Sequence, residues 1–571
     1  MSNSMGISCF VKRGSTCNTL TGTEDQSWQF NVGDCSVQIC FNKPYAAYPV
    51  KYHSFGTTRV WLEGCLYGNA PGELSQEMRQ LLQQGQTEAF KKLLQASTGE
   101  FWAIITHNDQ LEFINDKLAR LPVYYCITES FIFTGRSIAA LKEAGSQLSL
   151  APLAALEYIW VGYTLADKTL YHNVRRLQPG SNKAISFSNF TIRDVEKPFT
   201  FNFDNNEKLS DLKNYSVQAV ELFKQGCHKI KATIGDNPAI MSMSAGQDSR
   251  TAAFGLADAG LNLKGAIYKN SDSAHEIGLA YQLSRILGIG LATYQLEKPV
   301  QADFEQLLAI KNGHNYLGMA FILPFLKQLQ NDFSTNSFYI TGDGGDKLLP
   351  FIGEHHLQGM SADEEVERII RRLSTTPFYL LKQLLSNDSL DAIRQSVYNQ
   401  LKSYDEVTSM GRIVHFITYE RSVKLLFEGE DRNRFFFWST TPFYDVEFFE
   451  HCMKLPQKYK SGLKFYKQFQ QQLNPALLTI PDTTGQRLNS RKYYFRTLLN
   501  ERVRSANPEL KQKLRSIINK GLALDEAMTQ DLENLNFPAE INDVFLTGGL
   551  KNFAAKANSE HYYHLKTLSE L

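Results

Sequence analysis

Residues 239–249 read AIMSMSAGQDS, and this stretch decides the fold. Ala239 to Met243 is a short apolar run after Pro238, the length of a buried strand. Ser244, Ala245 and Gly246 are small enough for a tight turn, and Arg250 to Ala259 carries a helical pattern closed by Gly260. Strand, turn and helix in that order open a βα unit.

The rhythm continues downstream. A strand is expected over Leu263 to Tyr268, a helix from about Ala274 to Leu287 and a strand over Leu291 to Leu296. Two helical stretches follow, then the strand Ser337 to Thr341, which runs into Gly342-Asp343-Gly344-Gly345-Asp346. Strands alternating with helices predict α/β architecture with a parallel sheet, whose ligands bind beyond the carboxyl ends of the strands. Both polar turns fall at such ends. Ahead of this unit lies a helical stretch, Leu209 to Ile234, and from Ser361 onward the pattern is mostly helical. The first third is strand-rich instead: Ser36 to Phe41, Thr58 to Leu62, Phe101 to Thr106, Leu111 to Ile114 and Val123 to Ile127, interrupted by one helical pattern, Leu74 to Ala96. Lys183 to Asn206 reads as a linker, which divides the chain into domains at 1–200 and 205–571.

Composition narrows the class. The 571 residues hold 60 Lys plus Arg against 59 Asp plus Glu, a net charge of +1, so a nucleic-acid partner bound through bulk positive charge is not expected. With 43% hydrophobic residues the chain is an ordinary globular sequence. No apolar run reaches the roughly 20 residues that span a bilayer; the densest, Phe435 to Trp438, is far shorter. The opening MSNSMGISCF has neither a basic region nor an apolar core, so no signal peptide and a cytoplasmic location are expected. Eight cysteines at 9, 17, 35, 40, 65, 126, 227 and 452 form no C-x-x-C pair and read as buried single thiols. His355-His356 beside Glu354 reads as a loop, not a metal site.

The two turns carry the chemistry. In Ser244-Ala245-Gly246-Gln247-Asp248-Ser249 the small residues let several N–H groups point at one spot, and the following helix adds the positive end of its dipole. Ser244 and Ser249 add hydroxyls, and Asp248 is suited to a divalent cation. This is not the common phosphate loop, because no G-x-x-x-x-G-K-[ST] occurs. In the second turn Gly342 and Gly344 let backbone approach a ligand, while Asp343 and Asp346 supply carboxylates for metal or proton transfer.

These segments resemble the asparagine synthetase superfamily. AIMSMSAGQDS is similar to its pyrophosphate loop S-G-G-x-D-S, and GDGGDK (342–347) to its second loop G-[DE]-G-[AS]-D-E. In the family's order follow EYIWVGYTLADKTLYHNVRRLQPGS (157–181), the junction into the synthetase domain; EGEDRNRFFFWSTTPFYD (428–445), which resembles the segment ending in R-x-P-F-L-D; and LPQKYKSGLKFYKQF (455–469), the stretch with the family's catalytic lysine. STGEFWAIITHNDQLEFINDKLARLPVYY (97–125) resembles the amidotransferase-type domain. The resemblance spans roughly residues 55 to 490. It implies an N-terminal amidotransferase-like (Ntn-type) α+β sandwich followed by a parallel-sheet ATP-pyrophosphatase (PP-loop) synthetase domain with helical additions.

The departures matter as much. Glutamine-dependent members expose an N-terminal cysteine; here the chain opens Met1-Ser2 and the nearest thiol, Cys9, is internal, so a matured nucleophile at Cys9 is disfavoured. The family's oxyanion-hole Asn-Gly stands as Glu63-Gly64, where a carboxylate repels developing negative charge, and glutaminase activity is expected to be lost. Ala245 replaces a glycine and Lys347 an acid.

The resemblance implies ATP-dependent amide formation: a carboxylate attacks the α-phosphate, pyrophosphate leaves, and an amine opens the acyl-adenylate to give an amide and AMP. Pyrophosphate would lie on residues 244–249 with Gly342 and Gly344, Mg²⁺ on Asp248 and Asp346, and Lys464 would stabilise developing charge. Asp343 and Glu420 are the candidate bases, while Tyr419 points elsewhere on an α-helix; Glu420 could equally be a helix charge paired with Lys424. The expected enzyme is an intramolecular cyclase of the lasso-peptide-cyclase or β-lactam-synthetase type. The lean is toward a peptide cyclase because the helical insertion from about Glu354 to Ile417 suits a larger acceptor cavity. That implies a carboxylate substrate such as a precursor peptide, and a partner protease or leader-binding protein. The alternatives are asparagine synthesis from aspartate with ammonia or glutamine, and a nucleotide-binding pseudoenzyme; joint retention of Asp248, Asp346 and Lys464 argues against the latter.

Overall fold

A computed structural model of the chain describes residues 5–14, 26–204, 209–270, 274–353, 360–504 and 524–571. The first strands are β1 (Gly6–Arg13), β2 (Ser27–Val32), β3 (Cys35–Asn42), β4 (Val50–Phe55), β5 (Thr58–Leu66), β6 (Gly99–His107), β7 (Gln110–Asn115), β8 (Tyr124–Ile127) and β9 (Phe131–Gly135). Three more, β10 (Val174–Arg176), β11 (Asn182–Ser186) and β12 (Thr191–Glu196), complete two six-stranded sheets, ordered β10-β8-β9-β1-β3-β2 and β12-β11-β7-β6-β5-β4. Neighbouring strands in both run antiparallel.

Alternation along β5 and β6 explains the layering. Trp61, Trp102 and Ile104 join a core that includes Ile7, Phe10 and Ile39 of the other sheet. Their neighbours Val60, Leu62, Phe101, Ala103 and Ile105 point to the opposite face and pack on Met78, Leu82, Phe90 and Leu94. Those four lie on two helices, Gln76–Gln83 and Thr87–Ala96, not on the single helix expected over Leu74 to Ala96. Gly85, at φ +72°, makes the break. The expected linker is also corrected: β11 and β12 form a hairpin on the sheet edge, and β12 is nearly all exposed, which removes the apolar alternation that marks a strand.

The second unit is a parallel sheet of β13 (Ala239–Ser242), β14 (Leu263–Lys269), β15 (Leu291–Gln295), β16 (Phe338–Ile340) and β17 (Trp438–Thr440), ordered β15-β14-β13-β16-β17. Both faces are covered. Ile240, Ala266 and Tyr339 pack with Leu307, Leu323 and Phe325, while Met241, Ile267 and Ile340 belong to the core that holds Phe223 and Phe254. From β13 the chain proceeds outward on one side through β14 and β15, then returns to add β16 and β17 on the other. The strand order therefore reverses between β13 and β16. The seven cysteines among the described residues are buried and form no disulfide with one another; Cys17 and the His355-His356 loop with Glu354 lie outside the described residues. Among the described residues no helix is long and apolar enough to cross a membrane.

Candidate functional site

The reversal point is where the two polar turns meet. Residues 243–246 follow β13 and lead into the helix Gln247–Asp258, whose N-cap is Gly246; residues 341–344 follow β16 and lead into the short helix Gly345–Leu348. Contact between them is direct. A Cβ on Gly342 would sit 2.5 Å from the Ser249 nitrogen, and one on Gly345 would sit 2.5 Å from Asp248 Oδ1, so glycine is required at both places.

Each turn is held from below. Ser244 Oγ and Ser249 Oγ share a hydrogen bond of 2.7 Å, and the Gly246 N–H donates to Ser244 Oγ at 3.1 Å. Buried Arg250 donates to the carbonyls of Gly246 (3.1 Å), Ala245 (2.5 Å), Ile480 (2.8 Å) and Pro481 (3.0 Å), tying the turn to a distant segment. Ala245 is tolerated where a glycine was expected because its φ is not positive. Its N–H donates to Glu276 Oε1 at 3.3 Å, so the turn already presents a donor to an anionic oxygen. In the second turn the Asp343 N–H donates to Thr341 Oγ1 at 3.3 Å, and Thr441 Oγ1, just after β17, donates to the Asp343 carbonyl at 2.9 Å.

Carboxylates crowd this cleft. Burial and then the charge of Asp346 push Asp248 up to about 7, against the bond that Tyr466 donates to its Oδ1 at 2.6 Å. Desolvation by the surrounding protein, then the charges of Glu430 and Asp346, push Asp343 up to about 6, although the residue keeps part of its surface open to solvent. The ammonium of Lys347 pairs with Asp346. Gln247 Nε2 is buried beside the turn without a hydrogen-bond partner among the described residues.

These residues fit a magnesium ion. Two mutually repelling carboxylates on touching turns are the arrangement a divalent cation relieves. Among the described residues no cluster of three or more His, Cys, Asp or Glu could hold a metal, so phosphate and water oxygens would complete the shell, as magnesium commonly requires.

The structure thus brings Ser244, Ala245, Gly246, Gln247, Asp248, Ser249, Gly342, Asp343, Gly344 and Asp346 together. Lys464 is exposed at the first position of the helix Lys464–Leu473, with no hydrogen bond or ion pair among the described residues, two positions before the Tyr466 that touches Asp248. Glu420 lies apart from the two turns. It is buried, with Oε2 accepting from the Ala166 N–H at 2.9 Å and Oε1 from Gln400 Nε2 at 2.8 Å. Both oxygens are occupied away from the turns. The residue sits in a π-helical segment, Phe416–Leu426. Sequence reasoning missed Tyr466, Arg250 and Lys460. Lys460 is buried, donates to the Leu348 carbonyl at 2.7 Å beneath the second turn, and is pushed down to about 8 by burial. Its place in 455–469, beside Lys464, was the available signal.

The N-terminal sheets show the opposite condition. Glu63 is wholly buried and saturated: it accepts from the Ile7 N–H (2.8 Å), Tyr48 Oη (2.6 Å), Trp102 Nε1 (2.8 Å) and Arg136 Nε (3.0 Å). A Cβ on Gly6 would collide with its carboxylate. Cys9 lies buried mid-strand, in register with Ile39 and Thr134, not at a chain start.

No family model matches the chain, and no curated protein does. Similar solved structures include glutamine phosphoribosylpyrophosphate amidotransferase from B. subtilis complexed with ADP and GMP, at 11% identity and TM-score 0.21, covering 71% of this chain and 89% of that one. An allosteric regulatory enzyme of purine biosynthesis matches at 10% identity and TM-score 0.21, covering 52% and 76%. NMN synthetase from Francisella tularensis matches at 16% identity and TM-score 0.19, covering 37% and 94%. At such TM-scores these likenesses carry no argument, and the architecture rests on the strand order of the chain itself.

Proposed function

We propose that this chain is an ATP-dependent amide-forming enzyme of the asparagine synthetase type that works through an acyl-adenylate and does not hydrolyse glutamine. The observation that supports it best is the contact of two acidic, glycine-containing turns at the point where the parallel strand order reverses. Residues 244–249 would hold the β- and γ-phosphates through turn N–H groups, the Ser244 and Ser249 hydroxyls and the helix N-terminus, with Gly342 and Gly344 letting backbone close on them. A substrate carboxylate oxygen attacks the α-phosphorus, and the bond to the pyrophosphate oxygen breaks. An amine then attacks the acyl carbon, AMP departs with its oxygen, and the amine proton passes to a base. Asp343 suits that transfer, because a carboxylate raised to about 6 accepts a proton near neutral pH. Lys464 would bring positive charge to the acyl or phosphate oxygens. Magnesium on Asp248 and Asp346 would supply charge neutralisation on the leaving pyrophosphate.

The saturated Glu63 supports loss of the glutaminase reaction, so the amine comes from another source. The preference for an intramolecular peptide cyclase over asparagine synthesis rests on the helical region after residue 360, which carries an open groove of about 280 Å³ lined by Tyr398, Tyr404, Glu406 and Arg412. A precursor peptide, with a partner protease or leader-binding protein, is the substrate setting this reading implies. The test is release of pyrophosphate and AMP from MgATP on adding a peptide with an acidic side chain and a free amine, compared with aspartate plus ammonium. Asp346→Asn is expected to abolish release and leave the far-UV spectrum unchanged. Normal release by that variant would refute the assignment.

A further inference from the structure

Lys347 sits among the carboxylates of the two turns. Its ammonium donates to Asp346 Oδ2, on the residue assigned with Asp248 to magnesium. Among the described residues no other ammonium or guanidinium forms an ion pair with Asp248, Asp343 or Asp346. Burial raises both Asp248 and Asp343, Asp346 adds to each rise, and the charge of Lys347 opposes it at each. One ammonium therefore serves three acids.

The setting separates the head of this side chain from its stem. Lys347 is 12% exposed, whereas the side chain of Asp346 is 54% exposed. The stem lines a narrow gap with Phe427, Tyr444 and Met453, while the head reaches the acidic side of the turn. Its base is fixed: the Lys347 N–H donates to the Gly344 carbonyl at 2.9 Å, and Gly344 packs against the Tyr444 ring. A flexible four-carbon stem on a fixed base lets the ammonium change partner without moving the turn.

Asp346 cannot hold this ammonium and a divalent cation equally well. Two positive charges on one carboxylate repel, and each weakens the hold of the other. An ammonium that yields Asp346 stays beside the turns, where a bound polyphosphate is the strongest anion within its reach.

We propose that Lys347 is an exchangeable counter-ion: it neutralises Asp346 when no divalent cation is bound, and it passes to phosphate oxygens of the nucleotide when cation and nucleotide bind together. The inference rests on the nucleotide reading of the turns. It carries a signature of opposite signs. Removing the charge at 347 frees Asp346 for a lone divalent cation, yet takes a cation away from the polyphosphate. A lysine that only supported the turn would, when replaced, weaken both kinds of binding together.

The experiment uses the full chain with Mn²⁺ as the metal probe, the free ion being counted by electron paramagnetic resonance. ATP binding is followed by equilibrium dialysis at saturating Mn²⁺, with no acid or amine added. Lys347→Gln is expected to bind Mn²⁺ alone roughly fivefold or more tightly than wild type, and ATP roughly fivefold or more weakly. Lys347→Arg, whose guanidinium clasps a carboxylate through two bonds, is expected to bind Mn²⁺ about threefold or more weakly than wild type. Thermal unfolding in EDTA checks that each variant is folded, and the arginine variant decides the exchange by itself where the glutamine variant does not fold. Unchanged or weaker Mn²⁺ binding in folded Lys347→Gln overturns the proposal. So does unchanged or tighter Mn²⁺ binding in Lys347→Arg, or ATP binding at wild-type strength in Lys347→Gln. If wild type binds Mn²⁺ but no ATP, the nucleotide reading fails, and Mn²⁺ affinity falling in the order Gln, Lys, Arg upholds the counter-ion role at Asp346. Absence of Mn²⁺ binding by wild type overturns that role as well.

Discussion

Two acidic sites in this molecule behave in opposite ways. Glu63, among the antiparallel sheets, takes four donors on its two oxygens and faces Arg136, which in turn pairs with Asp431 of the parallel-sheet unit. Asp248 and Asp346, beyond the ends of parallel strands, repel each other, with the Tyr466 hydroxyl bonded to Asp248 and Lys347 paired with Asp346. A saturated carboxylate is a structural part; a pair held in repulsion is poised for a cation or a phosphate-bound metal. Under the proposed function the chemistry belongs to the second unit and the first supports it. Its support is concrete: Glu100 accepts from Trp438 Nε1 (2.8 Å) and Thr440 Oγ1 (3.2 Å) on β17, and Thr441 next to them holds the second turn.

The largest expected effect strikes the unsaturated site. Asp248→Asn should lower pyrophosphate release by about a thousandfold or more, roughly 4 kcal/mol in transition-state terms, without changing the urea midpoint. A fall of less than tenfold would make the two carboxylate sites alike. Glu63→Gln should do the reverse, costing about 3 kcal/mol of unfolding free energy by leaving Arg136 partly unpaired in the interior. Chemical denaturation measures that change, and an unaltered midpoint would remove the contrast.

A smaller effect concerns the C-terminal helix Ser559–Ser569. His564 lies within 3 Å of where a Cβ on Gly162 would be, and burial holds it down to about 3; burial likewise holds His561 down to about 4. Both fold as neutral imidazoles. Their contribution is complete above about pH 6.5 and is lost as pH falls through the interval down to their folded values, because the unfolded chain then binds the extra protons. Each should cost roughly 2 kcal/mol at pH 5 relative to pH 7. His564→Phe should shrink the difference between urea unfolding at pH 7 and pH 5 by about that amount; an unchanged difference would contradict the assignment. Least affected of all is Glu420→Gln, expected to alter pyrophosphate release by less than about threefold, since the glutamate's oxygens are spent on Ala166 and Gln400. A hundredfold loss would restore it as a catalytic base.

Much of the parallel unit was legible because its signals are local. A run of small residues after an apolar strand, and glycines flanking aspartates after another, state their geometry within about six residues. What escaped depends on partners far away. β17 sits in Phe435 to Thr440, an apolar stretch that becomes a strand only by pairing with Phe338 to Ile340. Tyr466 matters because it meets Asp248 across 218 positions, and Arg250 because it reaches Ile480. Glu420, chosen for its place before Thr440 to Asp445, lies in a π-helical segment with its carboxylate bonded to Ala166 and Gln400. The edge strand β12 was missed because both its faces are polar.

ATP–pyrophosphate isotope exchange tests the account most directly. Wild-type chain should exchange label into ATP only when a suitable acid is present, and both Asp248→Asn and Asp346→Asn should lose that exchange while remaining folded. Exchange that persists in both variants would contradict the claim that the two turns build one site.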